Sequence, residues 1–181
     1  KKRSDDAYTP GGVAGKRPNR ACIVYTSLVK QAYPGLPIAL GGIEASLRRA
    51  SHYDFWTDRI RRPILLDAKA DIVLYGMAER AILQYARMKQ LELEASQAPD
   101  LFTIPGGAFM GDTPGGDVLL LPSHEQILED PRQLITHTAM LEQHVLQARQ
   151  VAVQQVEGRH LVMTPHRPLE SDELDLLYSL P

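Results

Sequence analysis

Two stretches of this chain share one grammar, and together they decide most of what it can become. Leu36 to Leu40 is a short apolar run that stops at Gly41-Gly42 and leads at once into Glu44, Ala45, Ser46, Arg48 and Arg49. Asp71 to Gly76, DIVLYG, also ends on glycine and leads into Met77 to Gln90, where Ala81, Ile82, Tyr85 and Met88 recur at helical spacing. Short apolar runs bounded in this way fit strands buried on both faces of a parallel sheet. About 30 residues separate the two, enough for one right-handed crossover. The spacing predicts a three-layer α/β domain whose two strand carboxyl ends open on one crevice, the place where such sheets hold ligands.

The remaining chain can be laid out around these units. Residues 1–16 hold turn formers without an apolar period, which predicts an irregular arm. A helix is expected from Arg17-Pro18 through Cys22 and Val29 to Tyr33, stopping at Pro34-Gly35. The string ACIVYT also has strand character, and the α/β order of a helix leading into a strand decides for helix. Ser46 to Arg49 fits a helical turn, and Ile64, Leu65 and Ala68 sit at helical spacing. From Leu91 the alternation breaks. Leu101 to Ile104 is expected as a short strand and Ala108 to Met110 as another extended piece, followed by the glycine- and proline-rich loop Gly111 to Asp117. Asp130-Pro131 opens a helix expected to run to about Gln155, with positions 134, 138, 141, 145, 148 and 152 in one stripe about 27 Å long. His160 to Met163 fits a further strand, and Ser171 is the expected cap of a last helix. The loop at 111–117 is the natural seam. The expected organisation is therefore an α/β domain over 1–116, incomplete at its start and carrying the arm 1–16, then a mainly helical connector over 117–181.

Size and charge limit the function classes. At 181 residues the chain can bury a sizeable core. No window approaches about 18 uninterrupted apolar residues, so no membrane span is expected, and no signal peptide either. The single Cys22 excludes an internal disulfide and fits a reducing compartment, the cytoplasm. The net charge of −2 hides an asymmetry: residues 1–66 carry 12 Lys/Arg against 5 Asp/Glu, and residues 67–181 carry 8 against 17. Such a split fits an anionic partner on the first half, two faces of one domain, or a domain pressed against a neighbour. The start at KKRSDD without Met and the stop at LYSLP are what a piece of a longer protein would have.

The candidate site follows from the crevice. Gly41, Gly42 and Gly76 leave backbone N–H groups bare, Arg48 and Arg49 supply positive charge, and Glu44 and Glu79 stand beside the two strand ends. A small anion is the ligand these residue types fit. The competing arrangement has Glu44 and Glu79 neutralising the arginines internally. GGIEAS could cradle a phosphate of a small anionic or nucleotide-like ligand on bare backbone N–H groups. It has neither G-x-G-x-x-G spacing nor a G-K-[ST], and a tight strand-to-helix turn that needs glycine fits at least as well. Arg61-Arg62 is a second basic pair, and Tyr53, Phe55 and Trp56 fit either a stacking platform or the rim of a core. His137 and His144 stand about 10 Å apart along a helix, too far for one metal ion. His52 and His124 lack a second ligand, and no catalytic triad can be argued.

Longer strings are more specific. DDAYTPGGVAGKRPNRACIVYTSLVKQAYPGLPIALGGIEASLRRASHYDFWTDRIRRPILLDAKADIVLYGMAERAI, then TIPGGAF and the closing LESDELDLLYSLP, resembles the amino-terminal region of the YgiQ-like family of uncharacterised radical S-adenosylmethionine (SAM) proteins. The resemblance implies a Rossmann-like three-layer parallel sheet, a partial cobalamin-binding-like domain, placed ahead of a radical SAM barrel in the same polypeptide. That barrel would hold a [4Fe-4S] cluster on C-x-x-x-C-x-x-C and use it to cleave SAM reductively. This chain would be an accessory part that shapes or binds near the substrate side of the barrel. Two departures limit the transfer. The cluster needs three thiolates and the chain has Cys22 alone, so no catalytic residue or metal ligand is carried over and the chain by itself is expected to be inactive. The cobalamin signature D-x-H-x-x-G does not occur, and only the strand-then-glycine feature maps, onto Gly41 and Gly42. A different class of function stays open: a docking module whose basic face meets nucleic acid or a protein partner, which steeply salt-dependent retention on heparin or RNA would favour.

Overall fold

The computed structural model of the chain describes residues 5–96 and 98–180. Lys1 to Ser4, where the expected arm begins, lie outside the described residues, as do Gln97 and Pro181. The rest of the arm folds back on itself: Asp5 bridges to Val13, Pro10–Gly12 makes a 3-10 turn, and Arg17 pairs with Asp6.

Both strand–glycine–helix units form. After helix α1 (Ala21–Ala32), strand β1 (Ala39–Leu40) runs into α2 (Gly42–Leu47). A small hairpin, β2 (His52–Asp54) and β3 (Arg59–Arg61), and the short helix α3 (Ile64–Ala68) make the crossover. Strand β4 (Ile72–Leu74) then runs into α4 (Glu79–Ala95). β1 and β4 are adjacent and parallel, with Ala39 opposite Ile72 and Leu40 opposite Val73. The fold is α/β.

Four more strands extend the sheet: β5 (Gly107–Met110), β6 (Val118–Leu120), β7 (Val151–Val156) and β8 (Arg159–Met163), in the order β1-β4-β5-β8-β7-β6. The two outer pairs, β1/β4 and β6/β7, are parallel, and the three inner pairs are antiparallel. The inner pairing has a local cause. Glu157 and Gly158 both adopt positive φ (52° and 71°) and join β7 to β8 by a tight turn that only antiparallel neighbours can use.

Alternation along the strands sorts side chains onto two faces. Ile72, Leu74, Phe109 and Val162 pack with Ala81 and Tyr85 of α4. Val73, Tyr75, Ala108, Leu161 and Met163 pack with Ala45 of α2 and with Ile64, Leu65 and Ala68 of α3. Ile23 of α1 and Met140 and Leu141 of the later helix α6 (Gln133–Gln147) cover that second face. Three layers result, with α4 on one side of the sheet. No helix among the described residues is long and apolar enough to cross a membrane.

Several local elements differ from the sequence expectation. α6 ends at Gln147, well before Gln155, because Ala148 takes a left-handed backbone (φ 46°) and the chain turns into β7. The stripe's last position, Ala152, therefore lies in a strand. Residues 101–103 form a 3-10 turn in place of a strand, since the Asp100 carboxylate accepts from the Phe102 N–H (3.2 Å) and bends the chain. Helix α5 (His124–Glu129) was not expected; Ser123 and Gln126 start it with a capping box. In the last helix, α7 (Ser171–Tyr178), Glu170 and Glu173 form the capping box and Ser171 is the first helical residue. The seam near residue 117 falls between β5 and β6 of one sheet, and residues beyond it supply three helices and three strands.

Candidate functional site

The three glycines at the strand carboxyl ends have different surroundings. Gly41 is extended (φ −147°) and meets only the Leu74 carbonyl, at 3.7 Å from where a Cβ would lie. Gly42 has φ 78° and open space around it. Gly76 has φ 75°, and a Cβ there would lie 3.2 Å from the Cβ of His166. The bare backbone at Gly76 is thus covered by the protein's own imidazole.

The twin arginines turn apart. Arg48 reaches Glu44 (Nη1–Oε1 3.1 Å) and Asp54 (4.0 Å), and Arg20 pairs with the same buried Asp54. The backbone N–H of Cys22 donates to Glu44 (3.2 Å) and the Thr57 hydroxyl to Asp54 (2.5 Å). Burial pushes the Asp54 carboxyl up, but hydrogen bonds from Thr57 and Arg20 and the charges of Arg20 and Arg48 hold it at about 2. Burial, reinforced by Glu44, pushes the Cys22 thiol up to about 11. Arg61 and Arg62 likewise turn inward to Asp67, and Arg62 also reaches Glu157 (2.6 Å). Glu79 opens α4 with an exposed side chain and makes no ion pair among the described residues.

Arg49 faces the other way. Its Nη1 donates to the Ser46 carbonyl (2.6 Å), its guanidinium lies 4.6 Å over the ring of Tyr75, and its Nε is buried without a partner. Tyr75 follows β4 directly and donates its hydroxyl to the Thr164 carbonyl. Burial raises the Tyr75 phenol, against the pull of Arg49. Burial lowers Arg49 itself, yet a guanidinium stays charged.

Among the described residues, histidines and no carboxylate partner stand around this cation. His137 and His144 are both buried on α6, two helical turns apart. Burial and then the Arg49 charge lower His137 to about 4, opposed by the Ser51 backbone, so its imidazole is neutral at pH 7 and its Nε2 has no partner. His144 Nε2 lies 2.8 Å from the Gln150 carbonyl and so donates there, leaving Nδ1 a buried, unpartnered lone pair. Burial lowers it too, with Arg49 and His166 adding to that effect against the Gln150 contact.

A buried polar network holds the backbone just after Arg49. The Ser51 N–H donates to Gln154 Oε1 (3.0 Å), and Gln154 Nε2 donates to the Pro122 carbonyl (3.0 Å) and lies 3.5 Å from His137 Nδ1. Ser51 Oγ and His124 Nδ1 are 2.9 Å apart. Of the sequence candidates, Glu44 and Arg48 share one ion-pair cluster, Arg49 and Gly76 flank Tyr75, and Glu79 joins neither group. The sequence reading pairs none of Tyr75, His137 and His144 with Arg49. The seven-residue spacing of His137 and His144 puts both on one helix face and is the available signal.

This α/β domain belongs to the family described as Radical SAM N-terminal, whose match covers residues 1–181. Its relatives include a UPF0313 protein of Thermotoga maritima, 40% identical over 183 residues, covering 100% of this chain and 32% of that protein. A UPF0313 protein of Geobacter sulfurreducens is 45% identical over 186 residues, covering 100% of the chain and 30% of that protein. One of Pseudomonas aeruginosa is 57% identical over 118 residues, 64% of this chain and 15% of that protein. The chain spans about a third of the length of the curated relatives it matches. No solved structure matches it.

Proposed function

We propose that this domain is the accessory front part of a radical SAM enzyme and holds or shapes a small anionic ligand on the substrate side of a barrel in the same polypeptide. The observation that carries the reading is Arg49, a shielded cation without a carboxylate beside the carboxyl end of β4. Such crevices are where α/β sheets bind ligands. Gly41, Gly42 and Gly76 lie at the same strand ends, while Glu44 and Arg48 brace α2 against α1 through the Cys22 N–H.

The [4Fe-4S] cluster implied by the family does not fit the residues of this chain. It requires three thiolates, and Cys22 is the only cysteine, with a thiol held protonated. Among the described residues no group of three His, Cys, Asp or Glu side chains is placed to hold a metal ion. Cluster and SAM chemistry therefore belong to the remaining two-thirds of the polypeptide in this reading. The docking alternative gains little, because Arg48, Arg61 and Arg62 are already paired with carboxylates.

Anaerobic reconstitution with iron and sulfide tests the division of labour. A full-length UPF0313 relative should turn brown and release 5′-deoxyadenosine from SAM, and this chain alone should stay colourless. A full-length protein that neither binds iron nor cleaves SAM would overturn the proposal, as would stoichiometric iron in this chain.

A further inference from the structure

Shielded arginines in this domain follow one rule with one exception. Arg20, Arg48, Arg61, Arg62 and Arg80 are all partly buried, and each faces a carboxylate. Among the described residues Arg49 is equally shielded and faces no carboxylate; its guanidinium donates to the Ser46 carbonyl. Its Nε is fully buried without a partner, and Arg49 lines a groove. A shielded cation left unpaired is costly, so an anion reaching the guanidinium from the groove gains more than it would at the surface.

Beside Arg49 runs a groove of about 510 Å³, between the end of α2, strand β2 and helix α6. That volume is in the range of small-molecule sites. Its apolar lining includes Leu47, Leu134, Leu141 and Val145, the last three belonging to the α6 stripe. At its base lies His137, 1% exposed, whose Nε2 has no partner. Glu142, the one carboxylate in the lining, is exposed and stands at the solvent side. The lining is therefore mainly apolar and carries one guanidinium, that of Arg49.

We infer that this groove binds a small molecule with an apolar body and one anionic head, carboxylate or phosphate, the head paired with the Arg49 guanidinium. The inference rests on the reading that the strand carboxyl ends form a ligand site, and it adds the ligand's class and pose. His137, neutral and buried, supplies the second polar contact. The exposed half of the α6 stripe is then the ligand's wall.

Calorimetric titration of the 181-residue chain with decanoate, decyl phosphate, decanol and inorganic phosphate tests this. At least one of the two amphipathic anions should bind about ten- to a hundredfold more tightly than decanol, the worth of a charge-assisted pair, and inorganic phosphate should bind far more weakly than either. The two heads distinguish a carboxylate from a phosphate ligand. Arg49→Gln should bring the preferred anion down to the level of decanol. Should that variant fold poorly, Thr138→Phe carries the test. Thr138 is exposed on the groove wall, and its hydroxyl bonds only within its own helix. Filling that wall should weaken the amphipathic anion about tenfold or more. Equal binding of decanol and both anions, no binding of any, or an unchanged Thr138→Phe would overturn the inference. No cluster or SAM is present in this titration. Its failure leaves the SAM-cleavage result standing, and failure of SAM cleavage leaves a positive titration standing.

Discussion

Gln154→Leu isolates what the buried polar network does. Gln154 is fully buried in β7, and leucine fills a similar volume, so the substitution removes hydrogen bonds while leaving little cavity. Two bonds are lost, the Ser51 N–H to Oε1 and Nε2 to the Pro122 carbonyl, each 3.0 Å, together with the longer 3.5 Å contact to His137 Nδ1. Ser51 is 3% exposed, so its N–H is left buried and unpaired, at a cost of about 1–3 kcal/mol. Pro122 is half-buried and its carbonyl can recover water, which keeps that loss near the lower end. The sum is about 2–4 kcal/mol. For a domain of this size it corresponds to a fall in Tm of about 4–16 °C. Urea unfolding should show a lower midpoint at unchanged slope. Gln155→Leu, one residue along and exposed, should change stability by no more than about 0.5 kcal/mol. If the two variants behave alike, the network does not hold the segment that follows Arg49.

Two further outcomes rest on backbone packing and on proton linkage. Gly12 and Gly106 share φ 66°, but a Cβ on Gly12 meets nothing within 4 Å whereas one on Gly106 would strike the Tyr75 carbonyl. Gly12→Ala should therefore cost about 1–2 kcal/mol and Gly106→Ala at least about 1–3 kcal/mol more, measured by thermal unfolding, and equal losses would refute the close approach. His137 titrates at about 4 when folded against 6.5 for a free imidazole, so between those values the unfolded chain binds more protons and stability falls as pH drops. Burial lowers His52, His124 and His144 in the same sense. His137→Asn should flatten that slope in urea midpoints taken at about pH 7 and about pH 5, and an unchanged slope would refute the burial of a neutral ring.

The α/β class, the parallel pair β1/β4 and the glycine stops after each strand were legible in the sequence, because period, run length and glycine act over a few neighbouring residues. Arg49 was legible as a candidate for the same reason: it follows a strand-ending glycine pair within one short helix. Its separation from Arg48 was not. Which way each guanidinium turns depends on Asp54 on one side and Tyr75 on the other, brought close only when the hairpin and β4 pack. The α6 stripe shows the same limit. Its period pointed to a face buried against the α/β layer or another chain. Leu141 does pack on the sheet, but the most deeply buried side chains of that helix are His137 and His144, one position away. Leu134, Leu141 and Val145 also line a groove. Local sequence determined that a helix forms there. Gln154 of β7, held by the Ser51 N–H from 103 residues away, lies beside His137 of that helix, and a buried imidazole needs polar partners that only another element can bring.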